Sequence, residues 1–177
     1  MRNPLEQLRE TREKHLPTRT DAYRLSDGRP WQGVFIDMLA GNLLVSLRDV
    51  TLPRELEGFL RASGLPVWLK RLDQDIRQAP KRLCGEDSPS GFTIEENGVR
   101  YLMDMSAGYS QGIFLDQRDN RKRVRERCRP GMRLLNTFSY TGAFSVCAAL
   151  AGATVTTLDL AQPLPELVPG EHAAQRP

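Results

Sequence analysis

Residues 131–159 read GMRLLNTFSYTGAFSVCAALAGATVTTLD, and no other stretch restricts the fold as much. A Pro130-Gly131 break precedes the short apolar run 134–137, which predicts a buried strand. Residues 138–142 form a polar turn containing glycine, and 143–150 predict a helix rich in alanine. A second strand over 154–158 then delivers Asp159 to its carboxyl end. Two strands joined through a helix pair in parallel, so the fold class is α/β. Eighteen residues follow Asp159, too few for a full parallel sheet, so the expectation is an incomplete Rossmann-like unit.

In open parallel sheets, ligands sit beyond the carboxyl ends of the strands. Gly142 would let the backbone approach a ligand there, and Ser139 and Thr141 bring hydroxyls. The first amides of the following helix face the same crevice. An acid at the end of the second strand can accept both hydroxyls of a ribose, a task for an acceptor-only carboxylate. The GxGxxG spacing of dinucleotide sites is absent, which favours a cofactor without a pyrophosphate. On pattern alone a second reading stands beside this one: Gly142 relieves crowding, and Asp159 caps a following helix.

Before this unit, the pattern predicts an α+β hairpin domain over residues 1–111. Asn3 and Pro4 open a charged N-terminal helix, read as solvated. Residues 33–47 form a hairpin around Ala40-Gly41-Asn42, and 92–105 a second around Glu96-Asn97-Gly98. A short helix is expected over 52–60 and a strand over 66–72. The polar stretch 73–90 reads as loop over much of its length. Residues 116–128 form a basic helix whose cations, from Arg121 onward, are read as a solvated face. The unit at 112–161 follows, with 162–177 as a proline-rich tail expected to be disordered.

The apolar content is enough for a core, and the net charge of +3 is too small to establish nucleic-acid binding. Cys84, Cys128 and Cys147 fit neither a zinc nor a disulfide pattern, so no metal is expected and a reducing cytoplasm fits best. No signal peptide is read, and no apolar run approaches the roughly 20 residues of a membrane span.

The segments GIFLDQRDNR at 112–121 and LLNTFSYTGAFSVCAALAGATVTTLDLA at 134–161 resemble class I S-adenosylmethionine-dependent methyltransferases. The nearest group is the large-subunit ribosomal RNA 5-methylcytosine methyltransferases. The segment ENGVRYLMDMSAGYSQG resembles that group's central α+β domain, and the similarity runs over 23–161. The resemblance implies S-adenosylmethionine as cofactor and an RNA substrate, and it leaves a homodimer open. By position it implies that Asn136, Phe138, Ser139, Tyr140, Thr141 and Gly142 line the methionine and ribose parts of the cofactor. Asp159 would hold the ribose, and Gln117 and Arg118 would flank the pocket.

Two departures stand out. Relatives carry a GQKTG turn where this chain has Gly108-Tyr109-Ser110-Gln111-Gly112, and no PUA-type RNA-binding domain is visible. Methylation at cytosine C5 needs a nucleophile, usually a cysteine on later strands. Cys147 is read as helix packing, so no catalytic residue is assigned and the chain is expected to be inactive. The tail QPLPELVPGEHAAQRP lacks the amphipathic helix of the family. Back-translation shifted by one base yields a family-like helix, so a frameshift is expected. The competing function is a non-catalytic RNA- or protein-binding module using the hairpins and the basic helix.

Overall fold

The computed structural model describes residues 3–72, 75, 77–85 and 89–160. It divides after Leu115 into two compact units. The expected tail at 162–177 lies outside the described residues.

The first unit begins with helix α1 (Pro4–Glu13). The Asn3 side chain accepts the Leu5 N–H at 3.0 Å, satisfying one of the amides a helix start leaves open. Contrary to the solvated reading, Leu5 is buried in the main core, with Leu8 packed against it. Five strands follow: β1 (Ala22–Asp27), β2 (Val34–Leu39), β3 (Asn42–Leu47), β4 (Val67–Arg71) and β5 (Lys81–Cys84). They lie in that order in one sheet. The β3–β4 pair is parallel and the others antiparallel. Helix α2 (Arg54–Ala62) makes the crossover that a parallel pair requires. Pro53 sits just outside it, and the helix begins at Arg54, two residues later than expected.

Alternation along the strands sends Ile36, Val45 and Val67 to the same core as Leu56 and Leu60 of α2. Each such side chain contributes about 1.5–3 kcal/mol by leaving water. The opposite face carries Asp37, Ser46, Trp68 and Lys70, all buried. Arg24 pairs with Asp37, yet burial pushes the Asp37 carboxyl above its ordinary range, the guanidinium opposing the shift.

Two strands escaped the sequence reading. β1 was not predicted at all, and β5 falls in the stretch read as loop. Cys84 therefore ends a strand, where burial raises its thiol pKa.

Strands β6 (Gly91–Glu96) and β7 (Val99–Asp104) form the second hairpin. Asn97 and Gly98 are both left-handed, the geometry of a two-residue turn matched to strand twist. The hairpin is tied to the approach to β1. The Asp21 N–H donates to Glu95 O at 2.9 Å, and the Gly98 N–H to Arg19 O at 3.0 Å. Beyond β7, the turn at 108–112 is anchored by Lys70. Its Nζ donates to Gly108 O at 2.5 Å and to Tyr109 O at 2.9 Å.

The second unit opens with a 3-10 turn (Leu115–Gln117) and helix α3 (Arg118–Arg127). Strand β8 (Arg133–Thr137), helix α4 (Ala143–Leu150) and strand β9 (Thr154–Leu158) follow. β8 and β9 pair in parallel, as expected, with Arg133 opposite Thr154 and Thr137 opposite Leu158. Helix α4 covers one face of the pair and packs against α3.

β8 corrects the expectation of a buried strand. Leu134 and Asn136 are half-buried, while Arg133, Leu135 and Thr137 are exposed. The physical reason is coverage: among the described residues, β8 has one partner strand and one helix over one face.

Candidate functional site

Parallel pairing sets the geometry. Because β8 and β9 end side by side, the turn after Thr137 and the first residue after Leu158 leave the sheet at the same level. The Ser139 N–H extends the ladder by donating to Leu158 O at 3.2 Å. One residue further, the Tyr140 N–H donates to Asp159 Oδ2 at 2.6 Å. The bend and the acid thus meet in one place, joined by a charge-assisted bond.

The turn is conformationally unusual. Phe138, Tyr140 and Gly142 all have positive φ, at 56°, 52° and 75°. For a residue with a side chain this costs roughly 1–2 kcal/mol. Such outliers persist where surrounding contacts over-determine them. Here the fixing contacts are the two bonds to the end of β9 and a third, from the Gly142 N–H to Ser139 O at 2.8 Å. The consequence for Phe138 is 81% exposure, with its ring pointed away from any core. Ser139 turns inward and is buried.

Gly142 occupies the N-cap position of α4 and brings no side chain to cap the first amides of that helix. They lie at the positive end of the helix dipole, immediately after the bend. Beneath the turn, Asn136 Nδ2 donates to Ser145 Oγ at 2.9 Å, and Ser145 Oγ lies 2.9 Å from Thr157 Oγ1. This polar bridge locks the start of α4 to both strands. Asn136 therefore works inside the unit as a brace. Sequence reasoning missed Ser145. Its signal was available: register places Asn136 and Thr157 on one sheet face, beneath the helix that carries Ser145.

Gln117 and Arg118 lie where the 3-10 turn passes into α3. Gln117 donates to Asp116 Oδ2 at 3.0 Å and accepts from Asn120 at 2.9 Å. Arg118 Nε is buried without a hydrogen bond, 3.7 Å from Asp119 Oδ1. Among the described residues, neither side chain hydrogen-bonds to the 138–142 turn. Arg121 corrects the solvated-face reading outright. It is only 2% exposed, with its guanidinium 5.9 Å from the centroid of the Phe144 ring on α4. Cys147 packs in α4 as a small buried residue. No group of three or more potential metal ligands occurs among the described residues.

A parallel βαβ unit with an acid held against the backbone of the first turn belongs to the nucleoside-binding α/β class. The turn offers backbone amides, small hydroxyls and one carboxylate, without a glycine-rich phosphate loop.

Comparison with known proteins narrows the class. The S-adenosylmethionine-dependent methyltransferase family matches residues 23–170, and the chain belongs to it. A ribosomal RNA large subunit methyltransferase of Deinococcus radiodurans is 38% identical over 159 residues, covering 80% of this chain and 38% of that protein. A ribosomal RNA large subunit methyltransferase I of Photobacterium profundum is 33% identical over 156 residues, with coverage of 80% and 38%. Among solved structures, a "putative methyltransferase complexed with SAH" superimposes with a TM-score of 0.76 at 33% identity. That match covers 89% of this chain and 43% of the other. The chain therefore spans less than half the length of these relatives. No described helix is long and apolar enough to cross a membrane.

Proposed function

We propose that this chain carries the cofactor-binding part of an S-adenosylmethionine-dependent methyltransferase whose substrate is large-subunit ribosomal RNA. The observation that carries the reading is the bond between the Tyr140 N–H and Asp159, which unites the bend and the acid. In this reading residues 138–142 and the first amides of α4 cradle the cofactor, and Asp159 accepts its ribose hydroxyls. Asn136 braces the cradle through Ser145. Gln117 and Arg118 border the pocket from the start of α3. The cofactor supplies a methyl group on a sulfonium centre, poised for transfer to a nucleophilic base atom. The chain's own part is to bind and orient it. The names of the relatives support the RNA substrate, and cytosine is the base proposed.

Calorimetry on the full chain with S-adenosylhomocysteine tests this reading. Saturable binding that Asp159→Ala removes is the expected result. Absence of binding by a chain with native circular dichroism overturns it, and would leave a non-catalytic RNA- or protein-binding module.

A further inference from the structure

Helix α3 and the segment leading into β8 hold an unusual concentration of charge. From Asp116 to Arg133, eight arginine and lysine side chains face three carboxylates, a surplus of five in a chain whose net charge is +3. The remainder of the protein carries 17 arginine and lysine against 19 acidic residues, so the net positive charge comes from this segment.

The packing of α3 decides which cations are available. Arg121 is buried and Val124 half-buried, so this side of the helix is turned inward. Lys122, Arg123, Arg125, Arg127, Arg129 and Arg133 are all exposed. Among Lys122, Arg123, Arg127, Arg129 and Arg133, one forms an ion pair with a described acid. Lys122 stands 3.7 Å from Glu126, an exposed i,i+4 pair of little strength. Arg123 has a long 3.5 Å contact to the neutral Asn120. Arg127, Arg129 and Arg133 make no ion pair with any described residue.

The direction of the elements gives this surface a shape. α3 leads away from its start at Gln117 and Arg118, and Arg129 and Arg133 flank the start of β8, at the sheet end remote from the 138–142 turn. The helix of ten residues spans about 15 Å at 1.5 Å per residue, a distance covering two to three phosphates of an extended strand. The result is a cationic track in which Met132, between Arg129 and Arg133, is the exposed large apolar side chain among the described residues 118–133.

We propose that the exposed face of α3, continuing through Arg129 and Arg133, is a docking track for the phosphate backbone of RNA. The proposal rests on the RNA-substrate reading above and assigns the contact surface. Arginine suits the task because it stays charged and can grip phosphate oxygens through two N–H groups. Contacts of this kind hold the strand in position without reading its sequence.

The test is fluorescence anisotropy of the full chain with a labelled single-stranded RNA, titrated over a range of salt. Each phosphate contact adds about 0.7 to the magnitude of the slope of log affinity against log salt. Arg123→Glu/Arg127→Glu/Arg129→Glu should lower the slope by about 2 and weaken binding at least tenfold near physiological salt. The control Lys14→Glu/Arg54→Glu/Lys81→Glu makes the same charge change at exposed positions of the first unit and should retain most of the affinity. S-adenosylhomocysteine binding should be equal in both variants, which separates this proposal from the cofactor reading. Equal losses in the two triple variants would overturn it, because net charge and not this track would then govern binding. Tighter binding to anionic phosphatidylserine vesicles than to RNA would overturn it in favour of a membrane surface.

Discussion

Replacing Asp159 by asparagine probes the proposed cofactor site with the least disturbance. Asparagine keeps one carbonyl oxygen, so the Tyr140 N–H, now 2.6 Å from Oδ2, retains an acceptor. What is lost is the charge and the second acceptor oxygen. If the carboxylate accepts both ribose hydroxyls, two charge-assisted bonds weaken. Each contributes about 1.5 kcal/mol, the low end of the range, because Asp159 is exposed and water competes. The sum of about 3 kcal/mol predicts roughly a hundredfold weaker binding of S-adenosylhomocysteine. Asp159→Ala should cost more, since Tyr140 then loses the bond that holds its left-handed backbone. Isothermal titration calorimetry of the full chain measures both. A cofactor analogue lacking the ribose hydroxyls supplies the closing corner of the cycle, and it should bind wild type and Asp159→Asn with nearly equal affinity. Wild-type-like binding of the normal ligand by Asp159→Asn would refute the assignment of this carboxylate to the ribose.

Other predictions concern the frame that holds the site. Gly142→Ala has open space around the new methyl, the nearest atom being Ser145 Cβ at 4.0 Å, so its cost is that of the left-handed backbone, about 1–2 kcal/mol. Gly152→Ala meets Pro130 Cγ at 2.9 Å and should cost about 1–3 kcal/mol more. Urea denaturation of the pair checks the order, and the reverse order would contradict the structure. Lys70→Met leaves Gly108 O and Tyr109 O without their donor and should destabilise the first unit by about 2 kcal/mol, read as a lower denaturation midpoint. Tyr23 is buried, and its hydroxyl donates to Glu13 at 3.0 Å; burial foremost holds its proton well above the ordinary value near 10. An unfolded phenol ionises near 10, so stability present below that pH declines as pH rises beyond it. Tyr23→Phe should abolish this alkaline decline in denaturant melts at pH 9 and 10.5, and an unchanged decline would exclude Tyr23 as its source.

What could be read in advance was the chemistry of turns and local periodicity. Gly41 with Asn42, and Asn97 with Gly98, placed both hairpins, because glycine and asparagine accept positive φ; in the first turn it is Ala40 and Gly41 that adopt it, and Asn42 opens β3. The α4 and β9 boundaries followed from the break at Gly142 and the run TVTTL. Strand β5 was hidden because KRLC has no apolar alternation. At the edge of a sheet a strand needs only one partner, and Arg82 gains by stacking its guanidinium 4.5 Å from the Trp68 ring. Strand β1 was hidden for a related reason. Its pairing shifts register between Arg24 and Ser26, and this bulge breaks the period-two pattern that marks a strand.

The site was legible to a different depth. That an acid would follow the second strand could be read from the sequence, but its bond to the Tyr140 amide could not. The bond depends on Phe138 and Tyr140 adopting positive φ, and neither residue type announces that conformation. Arg121 shows the same limit from the opposite side. Arginine is almost never fully buried unless paired, and five further cations surround it in α3, so every local rule assigns it to solvent. Its guanidinium lies against the Phe144 ring, 23 positions later in the sequence, on the helix that follows the 138–142 turn. A buried guanidinium stacked on that ring fixes α3 against α4, and so fixes which side of α3 shows its remaining cations. The proposed cofactor turn and the proposed RNA track therefore share one structural origin: the same α3–α4 seam that seats Phe144 beside Gly142 leaves Arg123, Arg127 and Arg129 facing solvent.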